Sequence, residues 1–158
     1  MPATYLHGVE VIDVSSGSQP IRTVRSSVIG IVGTAPDADA TAFPLNTPVL
    51  VAASRTEAAK LDATGGGEGT LPRALDAILD QAGALIIVVR VAEGEDDTAT
   101  TANIIGGVDS SGNVSGIQAL VTAESVLGYT PRILLAPGFT NKKTVADELL
   151  SVAERLRA

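Results

Sequence analysis

The run "ALIIVVRV", Ala84–Val91, constrains this chain more than any other stretch. Its residues are apolar at consecutive positions rather than at alternate ones, so both faces of a strand built from it need cover. That is how a central parallel strand between two helical layers reads. The chain therefore has to supply helices for both sides, and a core made of aliphatic side chains, since hydrophobic residues are 45% of the sequence and aromatics only 3%. Two more apolar runs supply neighbours: "SVIGIV" (Ser27–Val32) and "PRILLAPGF" (Pro131–Phe139), the latter expected as another buried strand. A third, "VLVAA" (Val49–Ala53), is a shorter strand candidate.

Helical patterns alternate with these runs. Ser54 is placed to cap a short helix reaching about Leu61, with Glu57 as its capping-box partner. After the connector "TGGGEGT" (Thr64–Thr70), Thr70 is expected to cap a helix with Pro72 in its permissive first turn. Along that helix Leu71, Leu75, Ile78, Leu79 and Ala82 share one face, and Gly83 is placed to end it. "GIQALVTAESVLG" reads as helical, and Thr144–Ala158 as a helix with Val145, Leu149, Val152 and Leu156 on one stripe. Between Gly33 and Pro48 three prolines forbid a helix of any length. The valines flanking "DSSGN" (Asp109–Asn113) are spaced to pair as a small hairpin. The predicted fold class is α/β: a layered domain, residues 26–158, with a mostly parallel or mixed sheet flanked by helices and right-handed crossovers. An extended N-terminal β arm, residues 1–25, precedes it; its apolar strand, Thr4–Val14, has no pairing partner legible nearby. The crossover after the last strand lacks the strand to which it would return.

Several stretches invite a chemical reading. Val28–Asp39, "VIGIVGTAPDAD", resembles a strand entering a phosphate loop, but Gly33 stands alone and prolines follow where a helix should open. No window matches G-x-x-x-x-G-K-[ST]. A nucleotide-binding α/β domain thus remains an alternative without its loop. "EGEDD" offers Glu93, Glu95, Asp96 and Asp97 at the carboxyl end of the central strand, where four carboxylates can hold Mg²⁺ or Ca²⁺. The competing and favoured reading has Asp96 or Asp97 capping the next helix. A divalent-metal-dependent binding module is the other alternative. "DVSSGS" (Asp13–Ser18) departs from a D-x-S-x-S site at Gly17, and Asp109–Asn113 lacks the ligands of an EF-hand, so both read as turns.

Zero cysteines exclude disulfides and thiolate chemistry, and one histidine, His7, leaves the usual nucleophile and base pairings little to draw on; carboxylate or lysine chemistry is open by composition, but nothing in the sequence assembles it. No enzyme and no cofactor is expected. The net charge of -7 with scattered Lys and Arg argues against nucleic acid. The longest apolar run, Ala82–Val89, is far shorter than the roughly 20 residues of a membrane helix, so no membrane partner is expected either. The N-terminus has neither a basic region nor a continuous apolar one of signal-peptide type.

Four phrases, in order, carry a resemblance: "GVEVIDVSSGSQPIRTVRSSVIGIVGTAPDAD", "FPLNTPVLVAASRTEAAKL", "GTLPRALDAILDQAGALIIVVRV" and "GIQALVTAESVLGYTPRILLAPGFT". Together they resemble the N-terminal part of the contractile tail sheath proteins of myovirus phages, prophages and pyocin-like particles. The resemblance implies a structural subunit of a virion tail, assembled in the bacterial host cytoplasm. Its partners would be other copies of the sheath protein, the tail tube and the baseplate. It implies hexameric rings stacked around the tube, and contraction that drives the tube through the target envelope. It also implies that the arm, through Thr4, Tyr5, Leu6, Val9, Val11 and Val14, adds a strand to a neighbour's sheet. Family members carry a C-terminal region that completes the sheet, so the resemblance implies that this chain is incomplete and monomeric by itself.

Overall fold

The computed structural model describes residues 27–158. The expected arm therefore lies outside the described residues, as do His7 and the turn at Asp13–Ser18.

The central run forms β3 (Leu85–Val91), in a four-stranded sheet ordered β2-β3-β1-β6. β1 (Val28–Thr34) pairs with it in parallel, register Val28↔Leu85 through Thr34↔Val91. β6 (Ile133–Leu135) continues the parallel pairing on the far side of β1, and β2 (Pro48–Ala52) lies antiparallel to β3 at the opposite edge. The sheet is mixed, with its two longest strands inside.

Each strand face has its own core. On one, Val28, Val32, Ile87, Val89 and Val91 pack with Ile104 of α3 (Asp97–Ile105), with Ile117 and Leu120 of the 3₁₀ turn Gly116–Thr122, and with Val145, Leu149 and Val152 of α5 (Lys143–Leu156). On the other, Ile31, Val51, Ile86 and Val88 pack with Phe43, Leu61, Leu71 and Leu75. The last three come from the short α1 (Arg55–Ala58) with its 3₁₀ continuation Ala59–Leu61, and from α2 (Leu71–Gln81). Fully burying each such Ile, Leu or Val contributes about 1.5–3 kcal/mol, so both faces of β3 are required for stability.

Ser54 caps α1 as expected, its Oγ accepting the Glu57 N–H at 3.3 Å. The hairpin also forms, β4 (Gly107–Val108) against β5 (Val114–Ser115). Four expectations need correction. Thr70 does not cap α2 through its side chain; its Oγ1 accepts the Thr34 N–H at 3.2 Å, because the close approach of α2 to β1 offers that donor instead. Ala82 is the extended C-cap of α2 and is exposed, so it leaves the apolar face, while the helix ends at Gln81 with Gly83 directly after the cap, the stop expected of it. "GIQALVTAESVLG" is not one helix: Gly116 enters at φ +58 into a 3₁₀ turn, and only α4 (Ala123–Leu127) is α-helical. "PRILLAPGF" yields a three-residue strand at the edge of the described sheet, with Ile133 45% exposed, since among the described residues only β1 lies beside it.

Gly30 shows how tightly the first layer is built. A Cβ there would stand 2.9 Å from Pro131 Cβ and 3.2 Å from both Leu120 Cδ2 and Leu134 Cδ2. Replacing Gly30 with Val should overpack this face and destabilise the domain by about 2–3 kcal/mol; an unchanged urea midpoint would show that the layers have slack.

Candidate functional site

The carboxyl ends of β1 and β3 are where an α/β sheet usually holds a ligand. At the end of β1 the position is filled by the chain itself. Thr70 donates its N–H to Thr34 O at 2.9 Å and accepts the Thr34 N–H through Oγ1. The contact depends on two glycines. A Cβ on Gly33 would lie 2.5 Å from Thr70 Oγ1, and one on Gly69, at φ +83, would lie 2.4 Å from Thr34 O. The glycine that made Val28–Asp39 look like a phosphate loop serves protein packing.

Beside it runs a cleft of about 470 Å³ lined by Thr34, Thr70, Thr100, Phe139 and the acidic segment. All four candidate carboxylates line it, with no Lys or Arg among the lining residues, so its field repels phosphate. Two of the four are committed elsewhere. Asp96 Oδ1 accepts the Ala99 N–H at 2.6 Å as the N-cap of α3, the helix-capping role favoured from the sequence. Asp97 pairs with Lys142 Nζ, which also donates to Thr101 Oγ1 and sits 5.5 Å from the centre of the Phe139 ring. Glu93 and Glu95 are exposed. Among the described residues no three His, Cys, Asp or Glu side chains converge as a metal-ion group.

Sequence reading passed over the most committed polar side chain of this end. Arg90, on β3, has only 9% of its surface exposed. Its Nε donates to Phe43 O at 2.8 Å and its Nη1 to Ala35 O at 3.3 Å, while its own carbonyl accepts the Asn46 N–H at 2.8 Å. Arg90 thereby ties down the proline-rich segment after β1, which has no helix or sheet ladder to satisfy its carbonyls. The available signal was an arginine inside a run otherwise apolar on both faces.

Asn46 extends the tie. Held at φ +55, it accepts the Gly116 N–H through Oδ1 at 3.1 Å, linking the segment to the base of the hairpin. In the hairpin tip Asp109 accepts the N–H groups of Ser111 and Asn113 and the Asn113 side-chain amide. Those bonds, the Asn113 side chain first, hold the Asp109 carboxyl below its ordinary value.

Comparison with known proteins puts this arrangement in a family. Residues 26–91 match the family model described as tail sheath protein Gp18 domain III N-terminal region. The tail sheath protein of Escherichia phage P2 is 42% identical over 160 residues, covering 98% of this chain and 39% of that protein. A putative prophage major tail sheath protein of Pseudomonas aeruginosa is 38% identical over 156 residues, covering 98% of this chain and 39% of its own length. This chain belongs to the phage and prophage tail sheath family. A third relative, the tail sheath protein of Burkholderia phage BcepMu, is 28% identical over an alignment of 237 residues that takes in 100% of this chain and 48% of the relative. The sheath chain spans about two fifths of the length of the first two relatives.

The polar side chains described at this end of the sheet tie its segments to one another. The arm residues Thr4, Tyr5, Leu6, Val9, Val11 and Val14 lie outside the described residues. Replacing Arg90 with Leu removes the guanidinium donor from the Phe43 carbonyl and leaves the Ala35 carbonyl with the Ala38 N–H at 3.3 Å, and the expected loss is about 2 kcal/mol. Limited proteolysis should then cut within residues 35–47 before anywhere else in the sheath domain; an unaltered cleavage order would refute the staple. For Asp109 the sign follows from its lowered folded-state value. The carboxylate favours the closed turn above the ordinary carboxylate range, and that contribution is lost as pH falls through the depressed value. Amide exchange at Ser111 and Asn113 should accelerate over that acidic window in the native chain, and show no such step in Asp109→Asn.

Proposed function

We propose that this chain is part of a structural subunit of a contractile tail sheath. In this reading the subunits assemble as hexameric rings stacked around a tail tube. Contraction, triggered at the baseplate, drives the tube through the envelope of the target cell. The partners are other copies of the same protein, the tube and the baseplate. The site of action is the virion tail, built in the cytoplasm of the bacterial host. Residues 1–25 serve as the arm that adds a strand to a neighbour's sheet, a use that an apolar sequence of extended type suits physically.

The observation that carries this reading is the identity with sheath proteins along nearly the whole chain, 42% for the phage P2 relative. The fold supports it from a second side. A sheet with a dry core on each face, and polar segments stapled down by Arg90 and Lys142, behaves as a rigid block, which is what a part that must transmit force requires.

Negative-stain microscopy of the full-length protein, with everything its relatives carry beyond this span, should show tubes or stacked rings. Removing residues 1–25 should abolish them while leaving the melting temperature of the remaining protein within about 3 °C. Dispersed particles from the intact protein, or undisturbed tubes from the armless one, would count against the reading. The 158-residue chain by itself should scatter light as a monomer.

A further inference from the structure

Thr34, the last residue of β1, carries a buried hydroxyl with nothing to bond to. The alternation of β1 puts Val28 and Val32 in the first core and Ile31 in the second, so the Thr34 side chain turns to the first face. Only 3% of Thr34 is exposed, and Thr70 answers both of its backbone groups. Among the described residues, however, its hydroxyl has no hydrogen-bond partner. Thr100 is the contrast on the same cleft: also buried, it accepts the Gly94 N–H at 3.0 Å and donates to Asp96 O at 2.9 Å. The Thr34 oxygen keeps accessible surface and opens on the cleft of about 470 Å³ that its residue lines. A polar group held this far from bulk water costs free energy when unbonded, so the hydroxyl calls for an occupant of the cleft.

The charges around the cleft select that occupant. Glu93 and Glu95 are exposed and take part in no ion pair of the described residues, and Asp96 spends one oxygen on the Ala99 N–H. Lys142, the cation nearest them in the fold, is taken by Asp97 and Thr101. An anion is repelled. A bare divalent cation finds no three carboxylates converging on it, and the space is that of a small organic molecule rather than of an ion. A primary ammonium suits both halves of the site. It carries three N–H donors at one centre, enough for the Thr34 oxygen and for carboxylates beside it, and its methylene stem has Phe139 in the cleft wall to lie on.

We propose that this cleft binds a primary alkylammonium group, with the Thr34 hydroxyl accepting one of its N–H bonds and Glu93, Glu95 and Asp96 supplying the opposite charge. The group is that of a free diamine or of a lysine side chain presented by a protein. The site belongs to this chain alone and does not rest on the sheath reading. Its two parts act differently: the carboxylates concentrate any cation, whereas the hydroxyl favours one that still has an N–H to donate.

The test is an NMR titration of the 158-residue chain with putrescine at constant ionic strength. The Thr34 and Thr70 amide signals should shift and saturate. Thr34→Val keeps the shape and removes the oxygen, and it should weaken putrescine binding about tenfold, as should Glu93→Gln combined with Glu95→Gln. Tetramethylammonium, which has no N–H, should bind the native chain and Thr34→Val equally weakly. Thr34→Val should also melt no lower than the native chain, since its hydroxyl has no bond to lose; a lower melting temperature would show that the hydroxyl already has a partner and would overturn the proposal. Nα-acetyl-lysine methylamide separates the two sources. An affinity equal to that of putrescine assigns a lysine side chain, and one about tenfold or more below it assigns a free diamine. Shifts that fail to saturate by about 20 mM putrescine overturn the site. So do equal putrescine affinities for Thr34→Val and the native chain, or Mg²⁺ moving the same signals at lower concentration than putrescine.

Discussion

The parallel pairing of β1 with β3 is the constraint on which the rest of this domain depends. Seven residue pairs run from Val28↔Leu85 to Thr34↔Val91, and the side chains leaving them alternate between two separate cores. A parallel pair cannot be closed by a tight turn, so the chain must travel between the strands, and that travel builds one layer from α1 and α2. The other layer has to come from later in the sequence. Without α3, the 3₁₀ turn and α5, half of the apolar surface of β3 would face water.

Close approach follows from that arrangement. Helix and strand meet at Gly33 and Gly69 with no room for a side chain, and Thr70 answers the last peptide group of β1 in both directions. The same demand to satisfy backbone groups explains Arg90. The proline-rich connection has carbonyls that no helix or ladder serves, and a buried guanidinium serves two of them. Both devices resemble parts of a binding site when seen one at a time, a lone glycine after a strand and a cation at a strand's carboxyl end. In the folded chain each is satisfied by protein, and the carboxylates beside them make the cleft hostile to phosphate.

A unit of this kind is held together by polar as well as apolar contacts. Its polar groups are spent on internal ties, including the Lys142 pairing with Asp97 that holds the start of α5 to α3. Among the described residues the sheet ends at β6 on one side and at β2, which begins with Pro48, on the other, and a small hairpin stands on a locked base.

The sequence by itself determined the elements whose signal is local. The double-faced apolar run of β3, the Ser54 cap, the stripe of Val145, Leu149 and Val152, and the hairpin around Asp109–Asn113 were all legible, because each depends on neighbours within a few residues. Phrase order also disclosed the family. Only the tertiary structure decided the antiparallel sense of β2, the edge position and brevity of β6, the transfer of the Thr70 hydroxyl from its own helix to Thr34, and the burial of Arg90. Those outcomes turn on partners 36 or 47 residues away, where the gain from one long-range hydrogen bond or one packed face outweighs what the local pattern prefers.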